Sequence, residues 1–97
     1  MTSKQRAYLK SLAGTMDVIL NIGKSSLTPE MINAVDEALA ARELIKLGVL
    51  KNCADDPKEL AQIIGERTHS AVVQVIGKKI VLYRPDKKKP KIKLPLD

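Results

Sequence analysis

Val18-Ile19-Leu20-Asn21-Ile22-Gly23-Lys24-Ser25-Ser26-Leu27-Thr28-Pro29-Glu30-Met31-Ile32 is the stretch whose reading decides the fold. Val18–Ile22 is a short, mostly β-branched apolar run, which predicts a buried strand. Thr28 is suited to cap a helix, and Pro29 falls at the first helical position, where its missing N–H costs nothing. Leu27 and Ile32 occupy the two positions of a hydrophobic staple. Strand, glycine-led loop and capped helix therefore follow one another within fifteen residues.

Outward from that unit the pattern repeats. Met31, Val35, Ala38 and Leu39 continue the inner face of the helix to about Arg42, and Leu44–Leu50 reads as a second strand. Asp56-Pro57-Lys58-Glu59 opens a third helix, with Asp56 and Glu59 spaced as in a capping box and Leu60, Ile63 and Ile64 on the apolar side. On the N-terminal side, Ser3–Ala13 is predicted helical, with Tyr8, Leu9 and Leu12 on one side, Arg6 and Lys10 on the other, and Gly14 as the stop. Val72–Ile76 and Ile80–Tyr83 flank Gly77-Lys78-Lys79, where glycine suits a hairpin turn. The predicted class is α/β: a compact α-β-α-β-α-β-β sandwich around a four-stranded mixed sheet, with right-handed crossovers placing helices on the sheet faces. Leu44, Ile45, Val75, Ile76, Val81 and Leu82 are the expected strand core. Residues 1–85 form the expected domain. The lysine- and proline-rich segment 86–97 has no apolar periodicity and is expected to be a mobile basic tail.

Ninety-seven residues suffice for one core and leave little room for a catalytic pocket. No apolar run is long enough to span a bilayer, and the N-terminus lacks a signal-peptide core, so a cytoplasmic location is expected. The net charge is +6, of which segment 86–97 supplies +3. Such a balance favours an anionic partner. Tyr8 and Tyr83 are the only aromatic residues, too few for a base-stacking platform. Any nucleic-acid recognition must then rest on backbone and shape.

Gly23-Lys24-Ser25-Ser26 is the segment with chemistry. Its place before a helix start turns amides and the positive end of the helix toward an approaching anion, while Lys24 adds charge and Ser25 and Ser26 add hydroxyls. The competing reading is a plain turn that needed a glycine, and the tetrapeptide alone does not separate the two. A nucleotide-binding P-loop fails, because G-x-x-x-x-G-K-[ST] requires glycine where Val18 stands. Cys53 and His69 are too few for a structural metal site. Asp36-Glu37 and Asp55-Asp56 are adjacent residues, and neighbours on a helix point apart. No catalytic residue, cofactor or metal is expected, and the chain is read as a non-enzyme.

Four strings narrow the partner: Lys4–Ala13, Ile22-Gly23-Lys24, Arg42–Lys46, and Val73–Lys78 followed by Ile80–Pro85. Across residues 3–85 they resemble the bacterial YhbY-type proteins, stand-alone CRM (chloroplast RNA splicing and ribosome maturation) domains. The resemblance implies a fold similar to the C-terminal domain of a bacterial initiation factor. It also implies RNA as the partner, ribosomal RNA in precursors of the large subunit, and a ribosome-associated assembly role. It maps the family's G-x-x-G backbone clamp onto Gly23, Lys24, Ser25 and Ser26. Serine in place of the second glycine predicts a stiffer or differently shaped loop. Arg6, Lys10, Lys46 and Arg84 join the loop as candidate RNA contacts, each with a competing reading as a structural or solvated charge. Glu43 and Lys46 form either an ion pair or part of the RNA face, and Tyr83 is expected to pack on the sheet. A monomer with no membrane or small-molecule partner is expected. The alternative is a protein-interaction module that reaches ribosomal particles through ribosomal proteins, its charge serving solubility.

Overall fold

Thr2 starts the first helix by a reciprocal cap: its hydroxyl accepts the Gln5 amide and the Gln5 side chain accepts the Thr2 amide, both at 3.1 Å. In the computed structural model, which describes residues 1–96, this helix (α1) covers Ser3–Ala13. It is followed by β1 (Leu20–Ile22), α2 (Pro29–Arg42), β2 (Leu44–Val49), α3 (Pro57–Thr68), β3 (Ala71–Ile76) and β4 (Lys79–Tyr83), in the predicted order.

The sheet runs β1-β2-β4-β3 and is mixed, as expected. β1 pairs parallel to β2, with Leu20 opposite Leu47, while β4 pairs antiparallel to both β2 and β3. Gly77, at φ 56°, makes the tight turn between β3 and β4 that a side chain would strain. Pleating divides the strand residues between two cores. Ile45, Leu47, Ile80 and Leu82 meet Val35 and Leu39 of α2 and Leu60 and Ile64 of α3. On the opposite face Leu44, Val73, Val81 and Tyr83 meet Leu9 and Ala13 of α1. Each such Leu, Ile or Val contributes about 1.5–3 kcal/mol on burial.

Several expectations need correction. β1 is shorter than the apolar run: Ile19 donates to the Lys46 carbonyl at 3.0 Å, but the regular ladder begins at Leu20. β2 stops at Val49, because Leu50 opens a turn closed by the Cys53 amide at 3.0 Å. Asp56 flanks α3 without a side-chain cap, so Pro57 alone marks its start. Ile76 is 61 % exposed: it pairs with Lys79 beside the turn, beyond the part of the sheet that α1 covers. Ile63 is likewise 43 % exposed.

The segment after β4 folds back onto the domain. Ile92 and Leu94 pack against the α1-side core, and the Gln5 side chain donates to the Pro95 carbonyl at 3.2 Å. Composition predicted mobility because the apolar anchors are isolated among lysines and prolines. Asp97 of that segment lies outside the described residues.

Candidate nucleic-acid interface

Ile22, fully buried, anchors the end of β1, and its carbonyl accepts the Leu50 amide at 2.9 Å. The chain then turns sharply. Gly23 to Ser26 is a tight turn closed by the Ser26 amide on the Gly23 carbonyl at 2.9 Å. Lys24 and Ser25 form its exposed tip, and among the described residues their amides meet no backbone acceptor. Two amides without a backbone acceptor, a hydroxyl and an ammonium thus lie together on a short, rooted loop. That set can bind a phosphate oxygen.

Ser26 explains how the loop holds its shape. Its φ is 54°, in the left-handed region that glycine enters freely and serine does not. Its hydroxyl donates to the Asp55 carboxylate, tying the turn to the segment ahead of α3. The serine therefore keeps a backbone suited to glycine while adding a tether. Ser26→Ala is expected to lose about 1 kcal/mol, since the strain stays and the tether goes. Ser26→Gly removes both and should remain within about 0.5 kcal/mol of the parent chain. Urea unfolding of the two variants gives the order, and an alanine variant at least as stable as the glycine one would contradict this account.

The helix behind the loop contributes less than its position promised. Thr28 caps α2 by accepting the Met31 amide at 3.1 Å, and Glu30 puts a negative charge in the first turn. Both moderate the pull of the helix end on an anion, and Lys24 carries most of it. Beside the loop lies a groove of about 460 Å³ between α2 and α3, lined by Leu27, Pro29, Ile32 and Ile63, with Asp55 and Arg67 also on its wall.

The structure does not gather the remaining candidates around this loop. Arg6 is directed inward, its guanidinium donating to the Val72 and Val73 carbonyls at 2.6 and 2.9 Å. Those residues sit where the β3 register shifts between Val72 and Gln74, so Arg6 satisfies acceptors at a bulge. Arg84 donates to the Asp36 side chain at 2.6 Å, the Asp36 carbonyl at 3.0 Å and the Thr68 carbonyl at 2.8 Å, joining α2 to the end of α3. Lys10 is exposed in the last turn of α1. Lys46 is half-buried and opposite Val81, on the α1 side of the sheet. Tyr83 is buried, as expected, and burial together with the nearby Glu43 charge pushes its phenol up. Cys53 is buried before α3 and His69 is exposed after it, at opposite ends of that helix.

Glu43 is neither an ion-pair partner of Lys46 nor part of an exposed face. It is fully buried at the end of α2 with φ 66°. Its carboxylate accepts the amides of Asp86, Lys91 and Ile92 at 2.6, 2.7 and 2.8 Å. Burial pushes the carboxyl up, but these N–H groups outweigh it and hold the group below the ordinary value of 4.5. No local pattern announces this role: the bonded amides lie more than forty positions away.

Comparison with known proteins agrees with this architecture. The family model for the CRS1 / YhbY (CRM) domain matches residues 1–84. The "Probable RNA-binding protein YqeI" of Bacillus subtilis is 41% identical over 95 residues, covering 98% of this chain and 99% of its own. An "RNA-binding protein" of Haemophilus influenzae is 34% identical over 95 residues, covering 98% and 95%. The solution structure of a Staphylococcus aureus protein superposes with a TM-score of 0.82 at 49% identity, covering 98% of this chain and 99% of that one. With its fold and nearly its whole length matched, the chain belongs to the CRS1 / YhbY (CRM) domain family.

Proposed function

We propose that the protein binds structured RNA by its sugar–phosphate backbone through the turn Gly23–Ser26, and that the RNA is ribosomal, in precursors of the large subunit. The observation that carries this reading is the exposed Lys24-Ser25 tip, rooted by Ile22 and Ser26, whose amides meet no backbone acceptor among the described residues. Family membership and the names of the relatives support RNA as the ligand. The burial of Tyr83 supports backbone rather than base recognition, because it leaves Tyr8 as the one exposed tyrosine. On this reading the protein works as a cytoplasmic monomer on ribosomal particles, with no catalytic step.

The test is salt-dependent binding to protein-free large-subunit ribosomal RNA. In Lys24→Ala, Ser25→Ala the slope of log affinity against log salt should fall by about 0.7–0.9 for each phosphate that the variant no longer neutralises. Unchanged affinity and slope would remove the turn as the RNA-binding element. Wild-type protein that co-sediments with particles yet ignores the naked RNA would instead favour docking on ribosomal proteins.

A further inference from the structure

Asp86-Lys87-Lys88-Lys89-Pro90-Lys91-Ile92 forms a closed loop around one side chain. The Glu43 carboxylate receives the amide at its start, from Asp86, and the two at its end, from Lys91 and Ile92. Within the loop the Asp86 carboxylate accepts the amides of Lys88 and Lys89 at 2.9 and 3.3 Å, an Asx-type turn. The Lys91 ammonium donates to the Ala41 carbonyl, and Ile92 enters the α1-side core. Lys87, Lys88 and Lys89 are all exposed, and among the described residues none has a carboxylate within ion-pair distance.

A fully buried carboxylate on a residue with positive φ is a costly device, and what it orders here is a stretch that displays three consecutive positive charges. A charge run serving only solubility needs no such fixing. Glu43 caps the C-terminal end of α2 and the Gly23–Ser26 turn precedes its N-terminal end, so the 14-residue helix separates the two by about 20 Å. We propose that the latched loop Lys87-Lys88-Lys89 is a second RNA-backbone site, engaging phosphates at the far end of α2 from the Gly23–Ser26 turn. This rests on the RNA-binding reading above. With the loop backbone already ordered, binding does not bear the cost of ordering it.

The same large-subunit ribosomal RNA, titrated over a range of KCl concentrations, provides the test. Lys87→Ala, Lys88→Ala, Lys89→Ala should lower the log–log salt slope by about 2, and Lys24→Ala, Ser25→Ala should lower it independently. A second pair separates geometry from bulk charge. Asp86→Asn and Asp86→Ala remove the same charge from an exposed position, but only asparagine keeps an oxygen that accepts the Lys88 and Lys89 amides. Asp86→Ala should bind about 3- to 10-fold more weakly than Asp86→Asn. A triple variant with the wild-type slope overturns the second site, and equal affinities for the two Asp86 variants overturn the latched geometry. If the triple variant is inert while the Lys24 variant loses affinity, only this inference fails. Wild-type protein that binds no RNA at any salt overturns both.

Discussion

Glu43→Ala is expected to lower the unfolding free energy by about 2–4 kcal/mol, the cost of leaving buried amides without an acceptor. Three N–H groups lose their partner at once, and the cost is limited because the tail can lift off and hydrate them. Urea unfolding monitored by circular dichroism measures the change, and trypsin should then cut readily among Lys87–Lys93. The effect carries a pH signature. Because the folded-state carboxyl titrates below the ordinary value of 4.5, its contribution is fully present above that value and is lost as pH falls through the depressed one. The stability gap between wild type and Glu43→Gln should be widest near neutrality and close on acidification. An unchanged urea midpoint for Glu43→Ala would show that the latch contributes nothing to the fold.

Arg6→Ala is expected to cost about 2 kcal/mol, because a charged donor serving two carbonyls is removed from a partly buried position. In a domain of this size that corresponds to a drop in Tm of roughly 10 °C. RNA affinity measured well below the new Tm should be unchanged, since the guanidinium faces β3. Arg6→Lys should recover only part of the loss, because the one guanidinium nitrogen that serves both oxygens sits at the end of a longer, planar side chain that an ammonium does not reproduce. A variant of wild-type stability with weakened RNA binding would return Arg6 to the RNA face.

These two residues mark where the sequence stops being readable. Helix α2 was legible because its signals are local: Thr28 and Pro29 act within one turn of the residues they organise. The β3–β4 hairpin was legible for the same reason, with Gly77 supplying the positive φ its turn requires. The Gly23–Ser26 turn was placed correctly between strand and helix, yet the tether from Ser26 to Asp55 spans 29 positions and left no local trace. The fates of Arg6 and Arg84 depended on carbonyls 66 and 16 positions away. Segment 86–97 reads as a mobile basic tail because Glu43, which accepts the amides of Asp86, Lys91 and Ile92, lies outside it. Asp56 shows the reverse: its spacing suits a cap, but no capping bond forms.

The bulge under Arg6 has one more consequence. β1 and β3 are the two open edges of the sheet, and an open edge invites another chain to extend it. β1 offers only three residues, too few for a stable ladder. β3 offers six, but its register breaks at Val73, and Arg6 occupies two successive carbonyls there. One arginine thus withholds from neighbouring copies the longer of the two places where ordered aggregation could begin, at the high local concentrations met during synthesis.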